Sequence, residues 1–287
     1  MMRNPAWRGL LIALAANMAL GLNSVFAKFA YRANLDPNTL TMLRLTVAAL
    51  ALWFIFLTRW RALIPIPRRA LWGCILMGVA NFLAQTSYYW GLTRISASLA
   101  TLVFYLYPAV VILLLRLRGE ALTTRRLARF GVALIGVALL MDIQGQSVDT
   151  IGIVLVFITI VAYSLHLVIG QFVVRNVAAR TVVLYVISTM ALLAIALRLL
   201  AGGSPLPATW AGWWPVLGIG LLGTAVARLV MFTAIKRVGS TQLALLGVVE
   251  PLMTVAVAYS FLGETLTPVQ WVGGGFVLAS LLLVDLP

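Results

Sequence analysis

Four charged residues, Lys28, Arg44, Arg228 and Glu250, each lie inside a run of apolar residues. An ionised group in hydrocarbon costs roughly 2.5–3.5 kcal/mol on insertion scales, so such residues face a cavity or one another. Three cations beside one acid leave positive charge over, which suits a substrate carrying a carboxylate. Two readings stay open: Glu250 pairs with Arg228 or Arg44 and ties helices together, or one of the four meets substrate or a coupling proton. Polar residues recur beside them at helical spacing. Asn17, Gly21, Ser24 and Lys28 share one face, as do Thr159, Tyr163, His166 and Gly170. Asn81, Gln85 and Tyr88 form a third stripe, Ser98, Thr101, Tyr105 and Pro108 a fourth, and Gly247, Glu250 and Thr254 a fifth. A single stripe reads as glue between helices, worth about 0.6 kcal/mol per contact. Five together imply a wet cavity shared between helices.

Aromatic residues give that cavity a character. Tyr88, Tyr89 and Trp90 follow one another, Phe104, Tyr105 and Tyr107 surround Pro108, and Tyr163 sits on the His166 stripe. Such walls stack on a flat ring or hold an organic cation face-on. Trp7, Trp53, Trp60, Trp72, Trp210, Trp213, Trp214 and Trp271 are expected in the belts where membrane meets water. Pro108 and Pro251 each interrupt a span and serve as candidate hinges.

The elements that must position these residues are membrane helices. The 287 residues are 63% hydrophobic and 10% charged, a balance foreign to soluble domains. Ten apolar segments, at 8–30, 38–58, 70–91, 96–116, 125–142, 150–173, 180–200, 211–234, 240–262 and 267–286, are long enough to cross a bilayer. Backbone polar groups cannot be left bare in lipid, so the expected fold is an all-α integral membrane protein. The run from Leu10 to Phe26 has the look of a signal peptide, but Lys28 follows at once and the segment has a counterpart later, so it is read as a span.

The net charge of +14 points to topology rather than nucleic acid, because the arginines sit in short loops. With the N-terminus inside, fifteen basic residues fall on the cytoplasmic side and three, Arg32, Arg94 and Arg198, on the other. Both termini are therefore expected in the cytoplasm. The single cysteine, Cys74, allows no intrachain disulfide, and the single histidine, His166, excludes a multi-histidine metal site. The glycines Gly131, Gly136 and Gly273 to Gly275 suit close helix packing and not a phosphate cradle.

The chain also repeats. Arg94-Ile95-Ser96-Ala97-Ser98, then Tyr107-Pro108, then Gly119-Glu120-Ala121-Leu122-Thr123 returns as Arg237-Val238-Gly239-Ser240-Thr241, Glu250-Pro251 and Gly263-Glu264-Thr265-Leu266-Thr267. Five spans per copy is an odd number, so the second copy enters the membrane upside down. The expected units are 1–142 and 143–287, two inverted five-helix repeats. Such repeats typically hold a substrate site between them.

With Gly21-Leu22-Asn23-Ser24-Val25-Phe26-Ala27-Lys28, Arg44 and the two prolines each followed by Gly-Glu, the chain resembles the drug/metabolite transporter superfamily in its ten-helix form with two EamA-type repeats. The resemblance implies export of metabolites, notably amino acids and toxic compounds, and leaves the substrate open. One departure stands out: Ala162-Tyr163-Ser164-Leu165-His166 lacks the lysine of its first-half counterpart, and Gln171 falls at about that place.

The expected function is an exporter of small amphipathic metabolites, with aromatic amino acids foremost, in a bacterial inner membrane. Lys28 or Arg44 would meet the carboxylate, and Tyr88, Tyr105, Tyr163 and His166 the ring and amine. Asn17, Ser24, Gln85 and Arg228 would complete the lining, and Glu250 would balance charge or accept a proton. The rival is a multidrug exporter of organic cations caged by Glu250 and the aromatics. A membrane-embedded enzyme is disfavoured by one histidine and no intramembrane aspartate. The expected partners are a small-molecule substrate and the lipid bilayer, with no nucleic acid, metal or cofactor. One protomer suffices for a site, and a dimer is compatible with it.

Overall fold

A computed structural model describes residues 11–14, 26–27, 29–95, 100, 103–119, 123–140, 149–247, 250 and 267–282. Its elements are α1 (Pro37–Arg59), α2 (Arg68–Leu92), α3 (Tyr107–Arg116), α4 (Thr124–Leu140), α5 (Thr150–Asn176), α6 (Ala179–Ala201), α7 (Trp210–Gly218), a π-helical stretch Ile219–Val226, α8 (Ala227–Leu246) and α9 (Pro268–Leu282). No strand occurs among the described residues. Five apolar stretches among them are long enough to cross a membrane, the last being the continuous run Trp210–Leu246. Asn17, Ser24, Lys28, Ser98, Thr101, Pro251 and Thr254 lie outside the described residues.

Two helices begin at aspartates. Asp36 Oδ1 accepts from the N–H groups of Asn38 and Thr39 at 2.8 and 3.2 Å, with Pro37 at the first helical position. Asp149 Oδ1 accepts from the N–H of Gly152 at 3.0 Å and starts α5 in the same manner. Strongly apolar faces such as Leu50, Phe54 and Leu200 stay exposed at 65%, 70% and 88%. On a membrane protein these are the lipid-facing surfaces, so the inside is marked by its polar groups rather than by its oils.

α5 runs through the middle, packed on α2, α3 and α8. α1 packs on α6 and on the π stretch, and α2 also packs on α6. α4 and α9 lie against each other, with Gly136 turned to the backbone of Gly273 and Val277. A Cβ there would stand 2.7 Å from the Val277 nitrogen, so this glycine sets the approach of the two helices. Gly131 and Gly275 have open space beside them, which corrects the expectation that they too permit close packing. Cys74 is fully buried and free, as a small hydrophobe would be.

Two features differ from the sequence expectation. The fourth span breaks at a turn over Tyr105-Leu106, and Pro108 falls in the first turn of α3, where its missing N–H costs nothing. The interruption thus precedes the proline instead of bending a continuous helix around it. The eighth span carries Pro215 and then the π-helical stretch, which no periodicity announced. Trp53 donates its indole N–H to Ser188 Oγ at 2.9 Å and joins α1 to α6.

Candidate functional site: a buried polar relay beside an aromatic chain

α2 projects Met77, Asn81 and Gln85 from one face, four residues apart, and α5 lies alongside it. Close contact is possible because Gly170 of α5 leaves room for the Met77 methyl and the Phe232 ring. Into this seam α5 inserts His166, which is completely buried. Its Nδ1 lies 3.0 Å from the Met77 carbonyl, which can only accept, so Nδ1 carries the proton. The neutral ring then offers the Nε2 lone pair, and Arg228 Nη1 of α8 donates to it at 3.1 Å.

Arg228, the second residue of α8, also meets Asn81. The terminal carboxamide atom of Asn81 that faces His166 Nε2 at 3.0 Å also lies 2.5 and 2.9 Å from Arg228 Nη1 and Nη2. The other carboxamide atom of Asn81 contacts Gln85 Nε2 at 3.1 Å. Gln85 Oε1 in turn accepts from the Arg44 guanidinium of α1. The result is a continuous line, Arg44, Gln85, Asn81, Arg228, His166. Arg44 and Arg228 are each only 7% exposed and Asn81 1%.

Aromatic rings adjoin this line. Phe104 stacks on Tyr107 with centroids 5.0 Å apart and 28° between planes, and it also touches Tyr88, Tyr105 and Tyr163. Tyr163 meets Tyr107 edge-on at 5.1 Å and lies nearly parallel to His166 at 6.0 Å. His166 finally meets Phe232 at 5.6 Å. Tyr107 is fixed at both ends: its hydroxyl donates to the Ala244 carbonyl at 3.0 Å, and its own carbonyl accepts from Ser164 Oγ at 3.1 Å.

Of the expected site residues, Arg44, Gln85, Arg228 and His166 are brought together, and Tyr88, Tyr105 and Tyr163 join the aromatic group. Glu250 lies within electrostatic reach of Arg228, Tyr105 and Tyr163. Both His166 nitrogens are engaged by the protein itself, Nδ1 by the Met77 carbonyl and Nε2 by Arg228. Gln171, at the place of the missing second lysine, accepts from the backbone N–H and hydroxyl of Ser240 at 2.6 and 2.7 Å. It caps the chain just after Gly239, whose φ of 80° breaks α8. Sequence reasoning placed Asn81 on a stripe without a role; its spacing to Gln85 was the available signal.

Away from the relay, two sets of contacts close the ends of the bundle. At one end Asp36 Oδ2 accepts from Ser204 N–H and Oγ at 2.6 and 2.7 Å, while Arg198 Nε donates to Thr39 Oγ1 at 2.9 Å. Arg94 and Asp149 meet in an exposed ion pair at 3.4 Å. Elsewhere Thr181 Oγ1 and Tyr185 Oη donate to the carbonyls of Leu63 and Ile64, each at 2.8 Å, and Arg180 lies over the Trp60 ring at 4.4 Å.

Comparison with known proteins identifies what carries this arrangement. The model of the EamA-like transporter family matches residues 7–142 and again residues 150–285. An uncharacterized transporter of Archaeoglobus fulgidus is 29% identical over 92% of this chain and 91% of its own length. The uncharacterized transporter YcbK of Bacillus subtilis is 23% identical over 94% and 90%. A solved crystal structure superposes with a TM-score of 0.84 at 19% identity, covering 96% of both chains, which shows a shared fold.

Proposed function

This chain belongs to the EamA-like transporter family, and we propose that it exports small amphipathic metabolites, aromatic amino acids foremost, across a bacterial inner membrane. It is a multi-pass membrane protein of a transporter family. The proposed architecture is ten spans in two inverted repeats, 1–142 and 143–287, with both termini cytoplasmic.

What supports the architecture is that contacts come in mated pairs. α1 and the Ile219–Val226 stretch, the second and eighth spans, pack together, and so do α6 and α2, the seventh and third. An inverted two-fold exchanges these pairs. It also exchanges Asp36 with its Ser204 partner for the contacts of Thr181 and Tyr185 with Leu63 and Ile64. Arginine counting assigns the first of these loop pairs to one side of the membrane and the second to the other. Alternating access follows from opening one pair while its mate closes.

The observation that carries the substrate class is the junction of the aromatic chain with the guanidinium line at His166. A ring would lie among Tyr88, Tyr105 and Tyr163 while its carboxylate meets Arg44 or Lys28. Glu250 would balance the cations or take up a proton. The experiment is flux of tryptophan or phenylalanine into liposomes holding the purified protein, without an ion gradient. Flux inhibited by aromatic amino acids supports the reading. Competition only by organic cations, or flux only under a pH gradient, replaces it with a cation exporter centred on Glu250.

A further inference from the structure

Two exposed guanidinium groups from different helices converge on one ring. Arg175, one turn beyond Phe172 on α5, lies 5.1 Å from the Phe172 centroid, and Arg118, just past the end of α3, lies 5.5 Å from it. A ring attracts a cation but cancels no charge. Among the described residues neither arginine has a carboxylate partner. Thr181, shortly after α5, donates to the Leu63 carbonyl, shortly after α1, so these two helices finish on the same side. The described aspartates, Asp36 and Asp149, cap the opposite ends of both. More cations share the side of Phe172: Arg59 closes α1, Arg68 and Arg69 open α2, and Arg180 lies over Trp60. Glu120, two residues after Arg118, lies outside the described residues, and a carboxylate there neutralises one cation of the group. Topology signals account for arginines in these loops. They do not require two of them, from separate elements, to share a ring.

The ring also stands at the foot of a lipid-facing stripe. Val154, Phe157, Val161 and Leu165 step along α5 by three or four residues and are all exposed, and Phe172 continues that face two turns further on. On α3, Leu113 and Leu117 are exposed ahead of Arg118. An apolar strip that ends in two guanidiniums has the polarity of a phospholipid, with chains along the strip and phosphate at its end. Guanidinium forks donate paired hydrogen bonds to phosphate oxygens. We propose that Arg118 and Arg175 bind the phosphate of an anionic phospholipid, with an acyl chain lying along the exposed stripe of α5. Phosphatidylcholine carries the same phosphate, but its own ammonium group cancels the charge, so the site favours lipids of net negative charge. The stripe occupies a different face of α5 from His166, which is buried, so the lipid site is separate from the polar relay. A lipid held there ties the ends of α3 and α5, the helices that carry Tyr107 and Tyr163 of the aromatic chain.

The full chain, purified in a neutral detergent, is titrated with phosphatidylglycerol, with phosphatidylcholine of the same chains and with glycerol 3-phosphate, and binding is followed by native mass spectrometry. Saturable binding of phosphatidylglycerol is expected, with phosphatidylcholine weaker and glycerol 3-phosphate unbound at the same concentrations. A basic residue close to an anionic lipid surface is worth about fivefold in affinity. Arg118→Gln and Arg175→Gln should therefore each weaken phosphatidylglycerol roughly fivefold, and the double variant about thirtyfold. Arg68→Gln with Arg69→Gln removes the same charge from the same side without touching Phe172, and should weaken binding by less than about fivefold. Equal losses in the two double variants would show diffuse attraction and overturn the site, as would equal binding of the two lipids. Glycerol 3-phosphate binding as tightly as phosphatidylglycerol would replace the lipid with a free anion. The four arginines are exposed, and melting without lipid checks each fold. Should a glutamine variant fail to fold, Arg118→Lys with Arg175→Lys decides: it keeps the charge, loses the planar forks and should still bind more weakly than the parent. Unchanged affinity in that variant would overturn paired recognition of the phosphate.

Discussion

The carboxylate of Asp36 and the backbone of Ser204, 168 positions apart, are joined by a 2.6 Å hydrogen bond, with the Ser204 hydroxyl adding a second at 2.7 Å. The other oxygen of the same carboxylate caps α1. One side chain thus starts a helix of the first repeat and secures a loop of the second.

Substitution of Asp36 should separate these duties. Asn keeps an oxygen for the cap and loses the pair of bonds to Ser204; Ala loses both. The expected cost is about 2 kcal/mol for Asp36→Ala and roughly half that for Asp36→Asn, read from thermal unfolding in detergent. Equal melting of Asp36→Asn and the parent would show that the link to Ser204 contributes nothing.

The same carboxylate predicts an acid limit. Partial burial alone would raise its pKa, but hydrogen bonds from Thr39 and Ser204 outweigh burial and hold it below the ordinary carboxylate range. A depressed folded pKa gives stability that is present above the unfolded value of about 3.9 and lost as pH falls through the folded value. Melting temperature should therefore decline below about pH 4 more steeply in the parent than in Asp36→Asn. Parallel pH profiles for the two proteins would contradict this.

Arg94 and Asp149 make a contrasting case. Their ion pair is exposed, at 3.4 Å, while Asp149 also caps α5 through Gly152. The cap dominates: the Gly152 N–H, ahead of the Arg94 charge, lowers the Asp149 carboxyl pKa. Arg94→Ala should leave the melting temperature unchanged within error, Asp149→Asn should behave like the parent, and Asp149→Ala should melt lower. A fall in Arg94→Ala matching that of Asp149→Ala would reverse the ranking.

Gly136→Ala should destabilise by roughly 1–3 kcal/mol, because the new methyl meets the backbone of α9. Gly131→Ala, on the same helix with open space beside it, should be neutral or gain up to about 1 kcal/mol. Differential scanning fluorimetry of the two variants decides whether the α4–α9 contact is as tight as the geometry requires.

His166→Gln should retain much of the stability lost in His166→Leu, since an amide can donate to Met77 and accept from Arg228 as the imidazole does. The leucine variant leaves a buried guanidinium without that acceptor, at a cost of about 1–3 kcal/mol. Identical melting of the two variants would mean that the imidazole serves only as volume.

Much of this was legible in the sequence because membrane burial writes itself in long runs. The expected spans 38–58, 150–173 and 180–200 stand within three residues of α1, α5 and α6. Arg44, Arg228 and His166 were equally conspicuous, since a polar group in an apolar run needs a reason. What the sequence concealed was mutual arrangement. A stripe shows which residues share a face but not which face it meets, so the Asn81 contact with His166 and Arg228 was invisible. Ser204 lies in an unremarkable polar loop, and its tie to Asp36 spans more than half the chain. The break at Tyr105-Leu106 was hidden for another reason: Pro108 marks an interruption without saying on which side of itself the helix ends.

The π-helical stretch Ile219–Val226 lies immediately before α8, and Arg228 is the second residue of that helix. A π turn holds more residues than an α turn, while each α-helical residue advances the chain by about 100° around its axis. The compass bearing of the Arg228 side chain is accordingly decided upstream, by how eight residues are wound, and not by the helix that bears it. Rewinding that stretch as α-helix would swing the guanidinium away from His166 while leaving every side chain in the sequence unchanged. In this protein a difference of winding is worth as much as a substitution.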